Sequence, residues 1–202
     1  MCGITGFVWN TRTAAQAEVD TRALHMADAI AHRGPDSHGV WADTDAGVAL
    51  GHRRLAIVDL SPAGHQPLRS ASGRYMLCYN GEIYNHTELR DGLAADGATP
   101  AWRGSSDTET LAAGFERWGI AETLERATGM FAIAVWDRSA RILTLARDRF
   151  GEKPLYYGWQ GTGGAATFLF GSELRALRRH PAFEGEIARD ELVHYARHGY
   201  IR

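Results

Sequence analysis

Cys2-Gly3-Ile4-Thr5-Gly6-Phe7-Val8-Trp9 is the stretch on which the reading turns. Its apolar residues mark a β-strand, and Gly3 and Gly6 leave room for a neighbouring backbone to come close. The strand starts at a cysteine that is the second residue of the chain, so removal of Met1 would put a thiol and a free α-amine on one residue. A thiol is mostly protonated at neutral pH and needs a base or a lowered pKa before it can attack an amide. An α-amino group titrates near pH ~8 and can take the thiol proton, directly or through water. One residue can then serve as nucleophile and base. The other cysteine, Cys78, sits in the apolar run Tyr75-Met76-Leu77-Cys78-Tyr79 and reads as a small buried hydrophobe. Two cysteines make no disulfide framework, and none of the nine histidines stands in a local Cys/His signature.

Outward from this strand, short strand-like runs and amphipathic helices alternate without repeats. Asp20 is placed to cap a helix in which Leu24, Ala27 and Ile30 recur up to Ala31, and Gly34-Pro35 ends it and opens a loop. Val48 to Asp59 reads as a strand and Ser61-Pro62-Ala63-Gly64 as a turn. Tyr75 to Asn80 is the next strand, and Asn80-Gly81 is expected to break it with a sharp turn. Asn85 with Glu88 resembles a helix-capping pair, and Leu89 with Leu93 begins an apolar stripe. Ser106-Asp107-Thr108-Glu109 is a stronger capping signature, followed by Leu111, Phe115 and Trp118 on one helical face and Gly119 as C-cap. Phe131 to Trp136 and Ile142 to Arg147 flank a turn and predict a hairpin. Pro154 to Trp159 and Thr167 to Phe170 add two strands, and Glu191 to Tyr195 looks helical. Tyr156, Tyr157 and the six tryptophans read as core and sheet packing rather than a ligand box. The expected class is α/β or α+β, with a two-layer sheet core covered by helices.

At 202 residues the chain can bury a large core unaided. A formal charge of -2 with both signs mixed along the chain argues against a nucleic-acid partner. No apolar run approaches membrane-spanning length, and the start lacks a secretory pattern, so a cytoplasmic protein with no membrane association is expected. There is neither a Ser-Gly-Gly-x-Asp-Ser nor a Gly-x-x-x-x-Gly-Lys phosphate loop, and ATP binding is not expected of these residues.

Several pieces together resemble the class II glutamine amidotransferases: Cys2-Gly3-Ile4-Thr5-Gly6-Phe7, His32-Arg33-Gly34-Pro35-Asp36, Arg54-Leu55-Ala56-Ile57-Val58-Asp59, Tyr79-Asn80-Gly81-Glu82-Ile83-Tyr84-Asn85 and Ser106-Asp107-Thr108-Glu109. Asp148 to Tyr157 and Gly171-Ser172-Glu173 extend the likeness to about residue 177. It is most like the N-terminal glutaminase domain of glutamine-hydrolysing asparagine synthetases. The resemblance implies an N-terminal-nucleophile hydrolase fold, a four-layer αββα sandwich of two antiparallel sheets covered by helices. It implies a domain over residues 1–185, with 186–202 as linker and start of a synthetase domain whose remainder lies elsewhere.

The resemblance also implies roles. Cys2 is the nucleophile, and the Asn80 side chain and the Gly81 N–H form the oxyanion hole, although Asn-Gly alone is also an ordinary hairpin turn. Arg54 clamps the α-carboxylate of L-glutamine, and Glu82 and Asp107 meet its α-ammonium, while Leu55, Ala56, Ile57 and Val58 line the same pocket. Taken singly, Arg54 would read as a solvated strand charge beside Arg53, and Asp107 as first-turn helix charge. Arg33 is expected near the Cys2 segment. No metal or cofactor is implied here; ATP and magnesium belong to the synthetase domain that would receive the ammonia. A homodimer is compatible with the sequence, and the nitrogen acceptor is left open. Three other readings stand beside this one: a sugar-phosphate or phosphoribosyl amidotransferase, a noncatalytic regulatory or structural module, and an amidase of another specificity.

Overall fold

The computed structural model describes residues 1–10, 14–57, 59–98, 100–186 and 188–199. Two antiparallel sheets form the core. The first has the order β2 (Ser37–Asp43), β3 (Val48–Arg54), β1 (Gly3–Trp9), β9 (Thr167–Gly171), β8 (Tyr156–Gln160). The second runs β4 (Leu68–Arg69), β5 (Tyr75–Ile83), β6 (Gly129–Asp137), β7 (Ile142–Arg147). The helices are α1 (Gln16–Asp28), α2 (His86–Ala95), α3 (Asp107–Arg117), α4 (Ile120–Arg126), α5 (Leu174–Leu177) and α6 (Arg189–His198). No helix among the described residues is long and apolar enough to cross a membrane.

Strand alternation sorts the apolar side chains into three clusters. Ile4, Val48, Leu50, Met76, Cys78, Ala132, Ala134 and Phe170 pack between the sheets. Phe7, Ala49 and Leu169, one step out of phase on the first sheet, meet Val19, Ala23 and Met26 of α1. Leu77, Tyr79, Ile133 and Val135 of the second sheet meet Leu111 and Phe115 of α3. The same alternation fixes the site: Cys2 falls on the face of Ile4, and Asn80 on the face of Met76 and Cys78, so both side chains belong to the seam between the sheets.

Several expectations are corrected. Asn80-Gly81 is no turn, because β5 runs on to Ile83 and pairs Asn80 with Ala132 and Gly81 with Phe131. Glycine is needed there for close approach: a Cβ on Gly81 would lie 2.2 Å from the Met130 carbonyl oxygen. The strand expected to reach Asp59 ends at Arg54, since the amides beyond it turn to side chains, Leu55 N to Cys2 Sγ and Ala56 N to Asp36 Oδ2. Asp20 lies inside α1, accepting from Gln16 Nε2, and Val19, Ala23, Met26 and Ala27 form the buried stripe while Leu24 is half-buried. Asn85 does not cap α2 through its side chain, which instead accepts from Thr128 N and donates to Arg126 O. The segment after Pro35 was expected as loop and contains β2, whose order comes from full pairing with β3. Gly119, at φ 84, ends α3 and leads into α4, which has no signal of its own in the sequence. Tyr156, Tyr157 and Trp159 are 45%, 67% and 64% exposed rather than core, although Tyr157 and Trp159 pack on Phe168 of the neighbouring strand as sheet packing, while Trp136 is buried. The hairpin of β6 and β7 is as expected.

Candidate active site

A cleft of about 120 Å³ opens at the end of the intersheet seam. Cys2, Arg54, Leu55, Ala56, Ile57, Asn80, Gly81, Glu82 and Asp107 all line it. Val58 lies outside the described residues. Residues that are up to 105 positions apart in sequence thus meet because β1, β3, β5 and the start of α3 end at one edge of the sandwich.

Cys2 is half-buried, and its Sγ accepts from Leu55 N at 3.4 Å and can donate to Leu55 O at 3.5 Å. Burial pushes the thiol pKa up, outweighing the Leu55 backbone hydrogen bond and the nearby positive charges of the chain's amino terminus and Arg54. The sulfur is therefore held as a thiol that needs a proton acceptor. Arg33 secures the main chain, donating from Nε to Cys2 O at 3.0 Å while its Nη1 donates to Glu173 Oε1 at 3.1 Å. His32 Nε2 lies 2.9 Å from the same Glu173 oxygen. Arg33 is thus beside the Cys2 segment.

The geometry of β5 sets two donors at the cleft. In its pairing with β6 the odd-numbered residues aim their N–H groups away from the partner: Tyr79 N donates to Gln66 Oε1 at 2.6 Å and Ile83 N to Asp107 Oδ2 at 2.9 Å. Gly81 lies between them with the same orientation, facing the cleft. Beside it Asn80 is 1% exposed, and its Nδ2 has no hydrogen-bond partner among the described residues. A buried amide donor without an acceptor costs roughly 1–3 kcal/mol.

Tyr79 fixes this pair from three sides. Besides the Gln66 bond, its carbonyl accepts from His52 Nε2 at 3.1 Å, and its hydroxyl donates to Asp107 Oδ2 at 2.6 Å. His52 is fully buried, and desolvation lowers its pKa to about 3, so it is a neutral imidazole carrying its proton on Nε2. Burial, reinforced by the Asp107 charge, pushes the Tyr79 phenol far up and keeps it protonated.

At the other end Arg54 is braced by a loop. Its Nη1 donates to Ser61 O at 3.0 Å and its Nη2 to Asp59 O. Gly64 makes space for the guanidinium, since a Cβ there would lie 2.2 Å from Nη2. Asp59 accepts from Ser61 N at 2.8 Å and Ser105 N at 3.1 Å, tying the loop to the head of α3. Hydrogen bonds, led by that from the Ser61 side chain, hold the Asp59 carboxyl below its usual range. Ser106 caps α3 by accepting from Glu109 N at 3.3 Å, but the Glu109 carboxylate reaches Arg103 N and Gly104 N. Asp107 then turns inward on the first turn of α3. Glu82 is exposed at the rim.

Gln66, Tyr79, Asp59 and Lys153 also belong to the cleft and were not singled out from sequence. Asp59, Tyr79 and Lys153 fall inside stretches that carry the family likeness; nothing local marks Gln66. Among the described residues no group of three or more His, Cys, Asp or Glu is placed to hold a metal ion.

A two-sheet α+β domain with a thiol, paired amide donors and fixed charges of both signs in one cleft is suited to acyl transfer from an amino-acid amide. The chain belongs to the glutamine amidotransferase domain family, whose model matches residues 1–202. It is 42% identical over 212 residues to a Mycobacterium tuberculosis protein provisionally named a glutamine-hydrolyzing asparagine synthetase, covering 100% of this chain and 32% of that protein. Asparagine synthetase (glutamine-hydrolyzing) 3 of Bacillus subtilis is 39% identical, with 95% of this chain and 30% of the relative aligned. Amidase chry2 of Gibberella zeae is 35% identical over 78% of this chain and 24% of its own length. The chain spans about a third of the length of the first of these relatives and less of the others.

Proposed function

We propose that this amidotransferase domain hydrolyses L-glutamine to glutamate and ammonia through a γ-glutamyl thioester on Cys2, and that its fold is that of the N-terminal-nucleophile hydrolases, a four-layer αββα sandwich. The observation that carries the reading is the buried Asn80 Nδ2, without a hydrogen-bond partner among the described residues and next to the cleft-facing Gly81 N–H, in the cleft that holds the Cys2 thiol. Donors left unmet in the resting protein are what a developing oxyanion requires, and fixing them in a strand avoids reorganisation when charge forms.

With Met1 removed, the Cys2 α-amine takes the thiol proton and the thiolate attacks the side-chain amide carbon. Asn80 and Gly81 donate to the oxyanion, and the α-ammonium returns the proton to the departing nitrogen, which leaves as ammonia. Water then cleaves the thioester, and the amine again serves as base. Arg54 holds the substrate α-carboxylate through guanidinium hydrogens not used by the loop, and Asp107 meets the α-ammonium with its Oδ1, Oδ2 being engaged by Tyr79 and Ile83. Leu55, Ala56, Ile57 and Val58 line the wall, and Glu82 adds negative charge at the rim.

The relatives' names and their greater length support a synthetase domain beyond this glutaminase unit as the receiver of ammonia; in the same reading residues 1–185 are the glutaminase unit, 186–202 are linker and the start of that domain, and ATP and magnesium belong to it. Glutamate and ammonia release should be measured on protein with Met1 removed and on Cys2→Ala. The expected outcome is hydrolysis by the first and none by the second at an unchanged melting temperature; equal release by both would end the assignment.

A further inference from the structure

The cleft also holds a buried cation that the reaction above does not use. Lys153 is 6% exposed, lines the cleft, and donates from Nζ to Met1 Sδ at 3.3 Å. A thioether is a weak acceptor, and a buried ammonium ordinarily sits against a carboxylate. Lys153 makes no ion pair among the described residues. Its one side-chain partner there belongs to the residue whose removal exposes the Cys2 amine.

The backbone holds this cation in place. Asp148 Oδ2 accepts from Lys153 N at 3.0 Å and Phe131 N at 3.2 Å, and its Oδ1 accepts from Glu152 N at 2.8 Å. Burial opposes the Asp148 charge, but these amides outweigh it and hold the carboxyl below its usual range. Arg147 Nε donates to Lys153 O at 2.7 Å and Nη2 to Gly151 O, while Gly151, at φ 66, makes the turn. A hook anchored on β6 and β7 thus carries Lys153 to the side of Met1.

We propose that Lys153 is a positioning residue that keeps the freed Cys2 α-amine neutral, and so able to accept the thiol proton, near pH 7. This rests on the glutaminase reading given above. Losing Met1 takes away the thioether and leaves the ammonium in the same cleft as the amine it has uncovered. Like charges in a partly enclosed cleft disfavour the protonated amine, and a neighbouring cation lowers its pKa by roughly one unit. Around that amine, Arg54 of β3 and Arg33 before β2 act in the same sense, Asp59 after β3, Asp107 of α3, Glu82 of β5 and Glu173 before α5 oppose them, and the Cys2 thiol and the Tyr79 phenol are neutral.

The test compares processed wild type with Lys153→Met and Lys153→Arg. In Lys153→Met the acid limb of the kcat/KM profile for glutamine should rise by about one pH unit, with the alkaline plateau and KM unchanged within about twofold, and Lys153→Arg should follow wild type. Titration of the α-amine by NMR, on protein containing nitrogen-15-labelled cysteine, reads the same shift without turnover and so separates this proposal from the glutaminase assignment. An unmoved amine pKa in a folded Lys153→Met protein overturns it. So does a loss that is uniform across pH, or one that appears in KM.

Discussion

Replacing Asn80 by alanine tests the oxyanion assignment through two opposite effects on one protein. The side chain is 1% exposed and its Nδ2 is unpartnered among the described residues, so folding has already met the cost of burying it. Removing the amide relieves roughly 1–3 kcal/mol of unmet donor and forfeits a comparable amount of packing, so stability should change by less than about 1 kcal/mol. The main chain should not move, because Asn80 stays paired with Ala132 between Tyr79, held at three points, and Gly81. Catalysis should lose one preorganised donor, about 2.7–4 kcal/mol or 10²–10³ in kcat, with KM nearly constant because ground-state glutamine leans on Arg54 and Asp107. Steady-state kinetics with a denaturant melt on the same preparation measures both quantities. A kcat within about fivefold of wild type refutes the reasoning, as does a large stability loss that accounts for the lost activity.

Two further outcomes follow from the same contacts. His52 has a folded-state pKa of about 3, below its ordinary value of 6.5, so the unfolded chain binds the extra proton. Its contribution is therefore complete above pH 6.5 and is lost at roughly 1.4 kcal/mol per unit as pH falls toward 3; His52→Gln, which can still donate to Tyr79 O, should flatten the acid side of a stability-against-pH curve, and an unchanged slope would count against the buried neutral imidazole. Arg54→Lys cannot reproduce the two bonds to Ser61 O and Asp59 O together with a fork toward a carboxylate. KM for glutamine should rise about tenfold or more with kcat little changed, and an unchanged KM would remove Arg54 from the carboxylate role.

From the sequence alone came the chemical inventory and most of the elements. A cysteine at position 2 opening a Gly-containing strand, the Ser106 cap of α3, the β6–β7 hairpin and the burial of Cys78 were legible because each depends on spacing within a few residues. The family likeness also pointed to the residues that now share one cleft. Tertiary structure decided what local pattern could not carry. Asn80-Gly81 has the composition of a turn, but pairing along β6 outweighs that preference and holds it as a strand whose edge N–H faces the cleft. β2 and the outward aromatics of β8 are settled by sheet order, because an edge position has no signature in the chain itself. Gln66, His52 and Asp59 enter the site by bonds spanning 13, 27 and 46 residues, and Lys153 reaches Met1 across 152. Such contacts arise only when non-neighbouring strands end at the same edge, and that is a property of topology rather than of any stretch of sequence.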